Sequence, residues 1–123
     1  MTNTYYNVNV VEIGSDASLM LEEKMVILFN NTVPEDLRSI AFVHDGGELT
    51  DEIKAGDQLV IDGDTFDILF VGDKVNETMR DLGHATFHFN GETISDLPGT
   101  VCLEDKSIPQ ISENSTISFN RPR

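Results

Sequence analysis

The chain has 123 residues, with 22 acidic against eight basic ones, a formal net charge of −14 and a hydrophobic share of 39%. That length fits one domain spanning residues 1–123 with a core that needs no staples, and the hydrophobic share argues against disorder. The charge excludes a nucleic-acid partner, whose binding draws on many Lys/Arg–phosphate contacts; it attracts a partner with a basic patch, with solubility as the plain alternative.

Thr4 to Ile13 reads as the first strand, with Tyr6, Val8 and Val10 on one face. Gly14-Ser15-Asp16 ends it, and residues 15–24 fit a loop or a short helix. Met25 to Phe29 is apolar throughout, as a strand covered on both sides is, and Asn30-Asn31 breaks it. Thr32-Val33-Pro34-Glu35 has capping-box spacing, with proline near the first helical position, and predicts two turns of helix over Pro34 to Ser39. The apolar run Ile40-Ala41-Phe42-Val43 then enters His44-Asp45-Gly46-Gly47-Glu48-Leu49, where a rigid element stops and glycine-rich backbone begins.

Farther on, Gln58–Asp62 and Thr65–Val71 read as strands joined by an Asp62-Gly63-Asp64 hairpin turn. Lys74 to Leu82 has helical spacing, with Val75, Met79 and Leu82 on one face and Gly83 as its C-cap. His84 to Phe89 alternates: Ala85, Phe87 and Phe89 point one way, and His84, Thr86 and His88 the other. Asn90-Gly91 carries a hairpin signal. Leu97-Pro98-Gly99-Thr100 turns into Val101-Cys102-Leu103, Ser115 to Phe119 is the last strand, and Asn120 to Arg123 is a polar tail. Short strands punctuated by glycine turns predict an all-β barrel or sandwich of about eight strands with one or two short helices. No internal repeat is visible. No apolar run approaches the ~18 residues of a membrane span, no export signal opens the chain, and a lone cysteine, Cys102, fits a reducing cytoplasm.

The chemistry gathers at His44. Imidazole is a nucleophile near neutral pH, and one ring nitrogen attacks only while the other holds the proton, a tautomer that a carboxylate or carbonyl can fix. Asp45 and Glu48 are local candidates, with Asp73 a third in the turn before the second helix. The Gly46 and Gly47 N–H groups can form an anion-holding concavity. The plain alternative is a DG-type turn beside an ordinary polar histidine. A different class of reading sets His44, His84 and His88 around a metal or a polyol in a non-catalytic β-module. Cys102, in an apolar strand, reads as a small core residue.

Phe42-Val43-His44-x-x-Gly47-Glu48-Leu49, Val71-Gly72-Asp73, Leu82-Gly83-His84 and Leu97-Pro98-Gly99-Thr100-Val101 follow one another in an order that resembles the enzyme IIA component of the glucitol/sorbitol-specific phosphotransferase system, over nearly the whole chain. The resemblance implies a bacterial cytoplasmic phosphocarrier that needs neither cofactor nor metal and is not itself inserted in the membrane. It implies that His44 accepts a phosphoryl group from the carrier protein HPr and passes it to a IIB domain, which phosphorylates the hexitol entering through the IIC component. His84 falls on a supporting position, and Gly46 and Gly47 on the phosphoryl oxygens. The family's active stretch often reads His-x-His-Gly-Glu-Leu; Gly46 stands here at the second histidine, so any role of that ring is absent or moved to His84. A homo-oligomer is left open, and the acceptor ring is expected to be within reach of a second protein.

Overall fold

Eight strands close into a barrel in the computed structural model, which describes residues 2–122. The strands are β1 (Thr2–Ile13), β2 (Met25–Asn30), β3 (Phe42–His44), β4 (Gln58–Ile61), β5 (Asp64–Val71), β6 (Ala85–His88), β7 (Thr100–Leu103) and β8 (Thr116–Pro122). Three short helices, α1 (Ala17–Glu22), α2 (Glu35–Arg38) and α3 (Val75–Leu82), lie between them. Around the barrel the order is β1-β3-β2-β6-β7-β5-β4-β8, and β8 pairs with β1 to close it. Closure leaves no open sheet edge.

Alternation fills the interior. Tyr6, Val8 and Val10 of β1, Leu28 of β2, Phe42 of β3, Phe66 and Ile68 of β5, Phe87 of β6 and Phe119 of β8 belong to one buried cluster. Burying each such side chain contributes about 1.5–3 kcal/mol. The opposite faces of β2 and β3 build a second, smaller cluster of Phe29, Val33, Ala41 and Val43. So β2 and β3 are covered on both sides, as their unbroken apolar runs predict.

The two halves of the barrel share one pattern of strand pairing, although the sequence shows no repeat. Strand β1 runs antiparallel to β3 with Ile13 opposite Phe42, Glu12 opposite Val43 and, after a bulge, Val10 opposite His44. Strand β5 runs antiparallel to β7 with Val71 opposite Val101, Phe70 opposite Cys102 and, after a bulge, Ile68 opposite Leu103. The pairs β2–β3 and β6–β7 are both parallel, and β2 meets β6 antiparallel at the centre of the relation. Gly14 and Gly72 also correspond: a Cβ on Gly14 would lie 2.3 Å from the Arg38 carbonyl oxygen, and one on Gly72 2.3 Å from that of Pro98. This likeness lies in strand pairing and close backbone approach, which no local pattern in the sequence displays.

Other local differences have physical causes. The Asn90-Gly91 signal makes no hairpin, because the next strand, β7, pairs parallel with β6 and needs a crossover. Thr32 does not cap α2: its hydroxyl and its N–H both go to Asn30 Oδ1, and Pro34 stands at the N-cap without a side-chain bond. A third helix, α1, forms over residues left between loop and helix. Asn120 to Pro122 is no free tail but the end of β8, paired with Thr2 to Thr4; Arg123 lies outside the described residues. Gly83 caps α3 in the left-handed region at φ 59°, as its position predicts.

Candidate functional site

His44 ends β3, and strand alternation turns its side chain inward, the way of Phe42 and opposite to Val43. The ring is fully buried, at 0% exposure. It meets the Tyr6 ring edge-on, with centroids 6.2 Å apart and planes at 86°. Burial pushes its pKa below the ordinary 6.5, against the opposing pulls of the Gly83 carbonyl and of Asp45. The imidazole is therefore neutral at neutral pH.

Backbone atoms grip both ring nitrogens. Nε2 lies 2.8 Å from the Gly83 carbonyl oxygen. A carbonyl only accepts, so Nε2 carries the hydrogen. Gly46 donates its N–H to Nδ1 at 3.0 Å. The tautomer is thus fixed by geometry: hydrogen on Nε2, lone pair on Nδ1, aimed at the glycine segment. The orienting group is a carbonyl and none of the carboxylates expected for it. Asp45 accepts from the Asn9 N–H at 3.0 Å and from the Asn9 side chain at 3.5 Å. Glu48 is exposed. Asp73 lies before the first turn of α3 and Gly83 just after its last, so eight helical residues, about 12 Å of rise, separate it from the ring.

The two glycines earn their places differently. Gly46 sits at φ 86° with open space around its Cα, a conformation other residues adopt at a cost. Gly47 lies flat on β1: a Cβ there would fall 2.8 Å from Val8 Cγ1 and 3.0 Å from the Asn7 carbonyl oxygen. Asp45 through Glu48 are exposed, so one short, solvated segment covers Nδ1. The expectation of a ring within reach of a second protein is corrected here: the imidazole is fully buried, with Nε2 on the Gly83 carbonyl and Nδ1 under the Gly46 N–H.

His84 faces the other way. Its ring stacks on Phe29 of the outer cluster, with centroids 4.4 Å apart, and its Nδ1–H donates to the Leu28 carbonyl at 2.9 Å. It is therefore outside the barrel wall while His44 is inside. His88 Nδ1 takes a bond from the Asn90 side chain at 3.2 Å. The three histidines do not converge, and among the described residues no group of three His, Cys, Asp or Glu side chains is placed to hold a metal ion. Cys102 is buried and unbridged, and burial pushes its thiol pKa up.

Two residues of the site carried no such reading in the sequence. Gly83 reads as a helix cap, yet a Cβ there would lie 2.5 Å from His44 Nε2 and Cε1, so the ring needs this glycine as much as the cap does. Tyr6 reads as one apolar position of a strand face. Nothing local in the sequence joins either to His44, since both contacts span strands far apart in the chain.

Residues 5–118 match the family described as the PTS system glucitol/sorbitol-specific IIA component. The glucitol/sorbitol-specific EIIA components of Shigella flexneri and Escherichia coli (strain K12) are each 30% identical over 114 residues, which is 93% of this chain and 93% of theirs. The crystal structure of a PTS system IIA component from Enterococcus faecalis V583 superposes with a TM-score of 0.78 at 25% identity, covering 92% of this chain and 98% of that one. No helix among the described residues is long and apolar enough to cross a membrane. The chain therefore belongs to the glucitol/sorbitol-specific IIA family of the phosphotransferase system, and as such is a phosphotransfer protein that works with other components of that system.

Proposed function

We propose that the chain, as a single IIA unit, carries a phosphoryl group on His44, received from phosphorylated HPr and passed to a IIB domain for glucitol/sorbitol uptake through IIC in a bacterial cytoplasm. The observation that carries this reading is the ring's fixed tautomer, with Nδ1 bearing its lone pair toward the exposed Asp45–Glu48 segment. When that segment moves aside, the Gly46 N–H leaves Nδ1 and Nδ1 attacks the incoming phosphorus in line. The N–P bond of the donor breaks as the new one forms, and the donor imidazole leaves with the electron pair. No proton has to leave His44, because Nε2–H stays on the Gly83 carbonyl throughout.

Phosphoryl transfer asks the protein mainly to position and to neutralise charge. The Gly46 N–H freed from Nδ1 is one donor for a phosphoryl oxygen. The Gly47 N–H, which has no acceptor among the described residues, is another. His84 supports the site at one remove: anchored to Leu28 and stacked on Phe29, it holds the backbone that presents the Gly83 carbonyl. Asp45, beside the acceptor, raises the energy of a phosphoryl group there, which suits a group meant to be handed on.

The test is incubation with enzyme I, HPr and phosphoenolpyruvate. The expected product is an acid-labile phosphohistidine on His44, bonded through Nδ1 by NMR, and absent from His44→Ala. Equal uptake by both proteins would reject His44 as the acceptor, and a bond at Nε2 would reject the attack geometry.

A further inference from the structure

We infer that the Tyr6 hydroxyl is a phosphoryl-binding group of this site, donating its hydrogen to a phosphoryl oxygen on His44. The inference deepens the reading of His44 as acceptor and rests on it. Tyr6 is 2% exposed, and its hydroxyl is the one buried side-chain oxygen or nitrogen without a hydrogen-bond partner among the described residues. Buried polar groups are nearly always paired, because leaving one unpaired costs free energy. An orphan of this kind asks for an explanation in function or in an absent partner. Tyr5, its neighbour in the chain, meets the rule by donating to Asp57 at 2.7 Å, so an unpaired tyrosine is not imposed by this strand.

The orphan's position supplies the explanation. The Tyr6 ring stands edge-on to His44. Its Cε1, next to the hydroxyl-bearing carbon, lies 3.6 Å from where a Cβ on Gly47 would sit. The hydroxyl-bearing half of the ring thus borders Gly47, the neighbour of the Gly46 N–H that meets Nδ1. Burial first, and the charge of Asp45 second, push the Tyr6 pKa up to about 12, so the group remains a neutral donor and never a competing anion. A neutral donor suits this place: it satisfies phosphoryl oxygens without cancelling the charge that lets the group move on. The resting protein carries the unpaired hydroxyl, and phosphorylation pairs it.

The experiment compares the full-length wild type with Tyr6→Phe, which removes one oxygen and keeps the ring. Both are phosphorylated by HPr and, independently of any protein donor, by phosphoramidate. The expected result is an unchanged or higher Tm for the unphosphorylated variant, together with a roughly tenfold fall in its equilibrium phosphorylation against HPr, the worth of a hydrogen bond to a charged group, and a displaced ³¹P resonance. Should Tyr6→Phe not fold, 3-fluorotyrosine in place of Tyr6 keeps the shape and strengthens the donor, and moves the equilibrium the opposite way. Equilibrium and ³¹P resonance equal to wild type in the folded variants would overturn the Tyr6 assignment alone. A wild type that takes no phosphoryl group on His44 from either donor would overturn the acceptor reading and the Tyr6 assignment together.

Discussion

At the scale of single residues, the site is a histidine held by two backbone atoms, and both grips can be tested. A Cβ on Gly83 would press on His44 Nε2 and Cε1 at 2.5 Å. The left-handed backbone alone is not the obstacle, since Lys24 takes φ 61° at the corresponding C-terminal end of α1. Gly83→Ala is therefore expected to cost about 1–3 kcal/mol, the usual range for a non-glycine residue held there, and also to displace the ring and its Nδ1. Phosphorylation should fall more than stability does. Combining Gly83→Ala with His44→Ala should return part of the stability loss, a coupling that denaturant melts of the double-mutant cycle would measure. Protonation is the second handle. His44 binds its proton less readily folded than unfolded. Its stabilising contribution is complete above 6.5 and is lost as pH falls from there through the lowered folded value. Wild type should lose stability between pH 6.5 and 5 more steeply than His44→Gln; parallel melts across that window would show that the ring does not titrate as placed.

At the scale of elements, the barrel's seam depends on a stretch that the sequence presents as a tail. Arg121 of β8 donates from Nε and a terminal nitrogen to the two oxygens of Asp57, each at 3.1 Å, while Tyr5 donates its hydroxyl to the same carboxylate. Asp57 is only 4% exposed, so it is a buried charge with its partners in place. Asp57→Ala leaves the buried Tyr5 hydroxyl unpaired and should cost about 1–3 kcal/mol, read as a lower denaturant midpoint at unchanged m-value. Arg121→Ala should lower the Tm as well, which a solvated tail residue would not do. The elements themselves were legible: alternation at β1 and β6, the apolar run of β2, the Asp62-Gly63 turn and the Gly83 cap each have a local signature. Pairing was not. Asn90-Gly91 has hairpin chemistry but precedes a strand that runs parallel to its neighbour, and no local rule distinguishes these outcomes. Likewise His44, Gly46 and Gly47 stood out by residue type, whereas Tyr6 and the Gly83 carbonyl join them only across the barrel.

At the scale of the whole molecule, the two halves with matching strand pairing differ at the position of the candidate site. Leu103 occupies in β7 the place of His44 in β3, each set against its long strand after the same bulge. The second half thus supplies a wall, through α3 and Gly83, to a site seated in the first. Partner selection is then a matter for the surface of a chain whose formal net charge is −14. A surface so acidic speeds encounter with a basic partner face and slows it with an acidic one, and salt screens both effects over about 10 Å at 0.1 M. If the charge serves recognition, the second-order rate of phosphoryl transfer from HPr should fall as ionic strength rises from 0.02 to about 0.3 M, while the equilibrium phosphorylation of His44 in the separated protein stays level. Replacing exposed acids near the entry, such as Glu48→Gln and Asp45→Asn, should flatten the salt dependence more than replacing acids on the far side of the barrel. A rate indifferent to salt would assign the acidic surface to solubility alone.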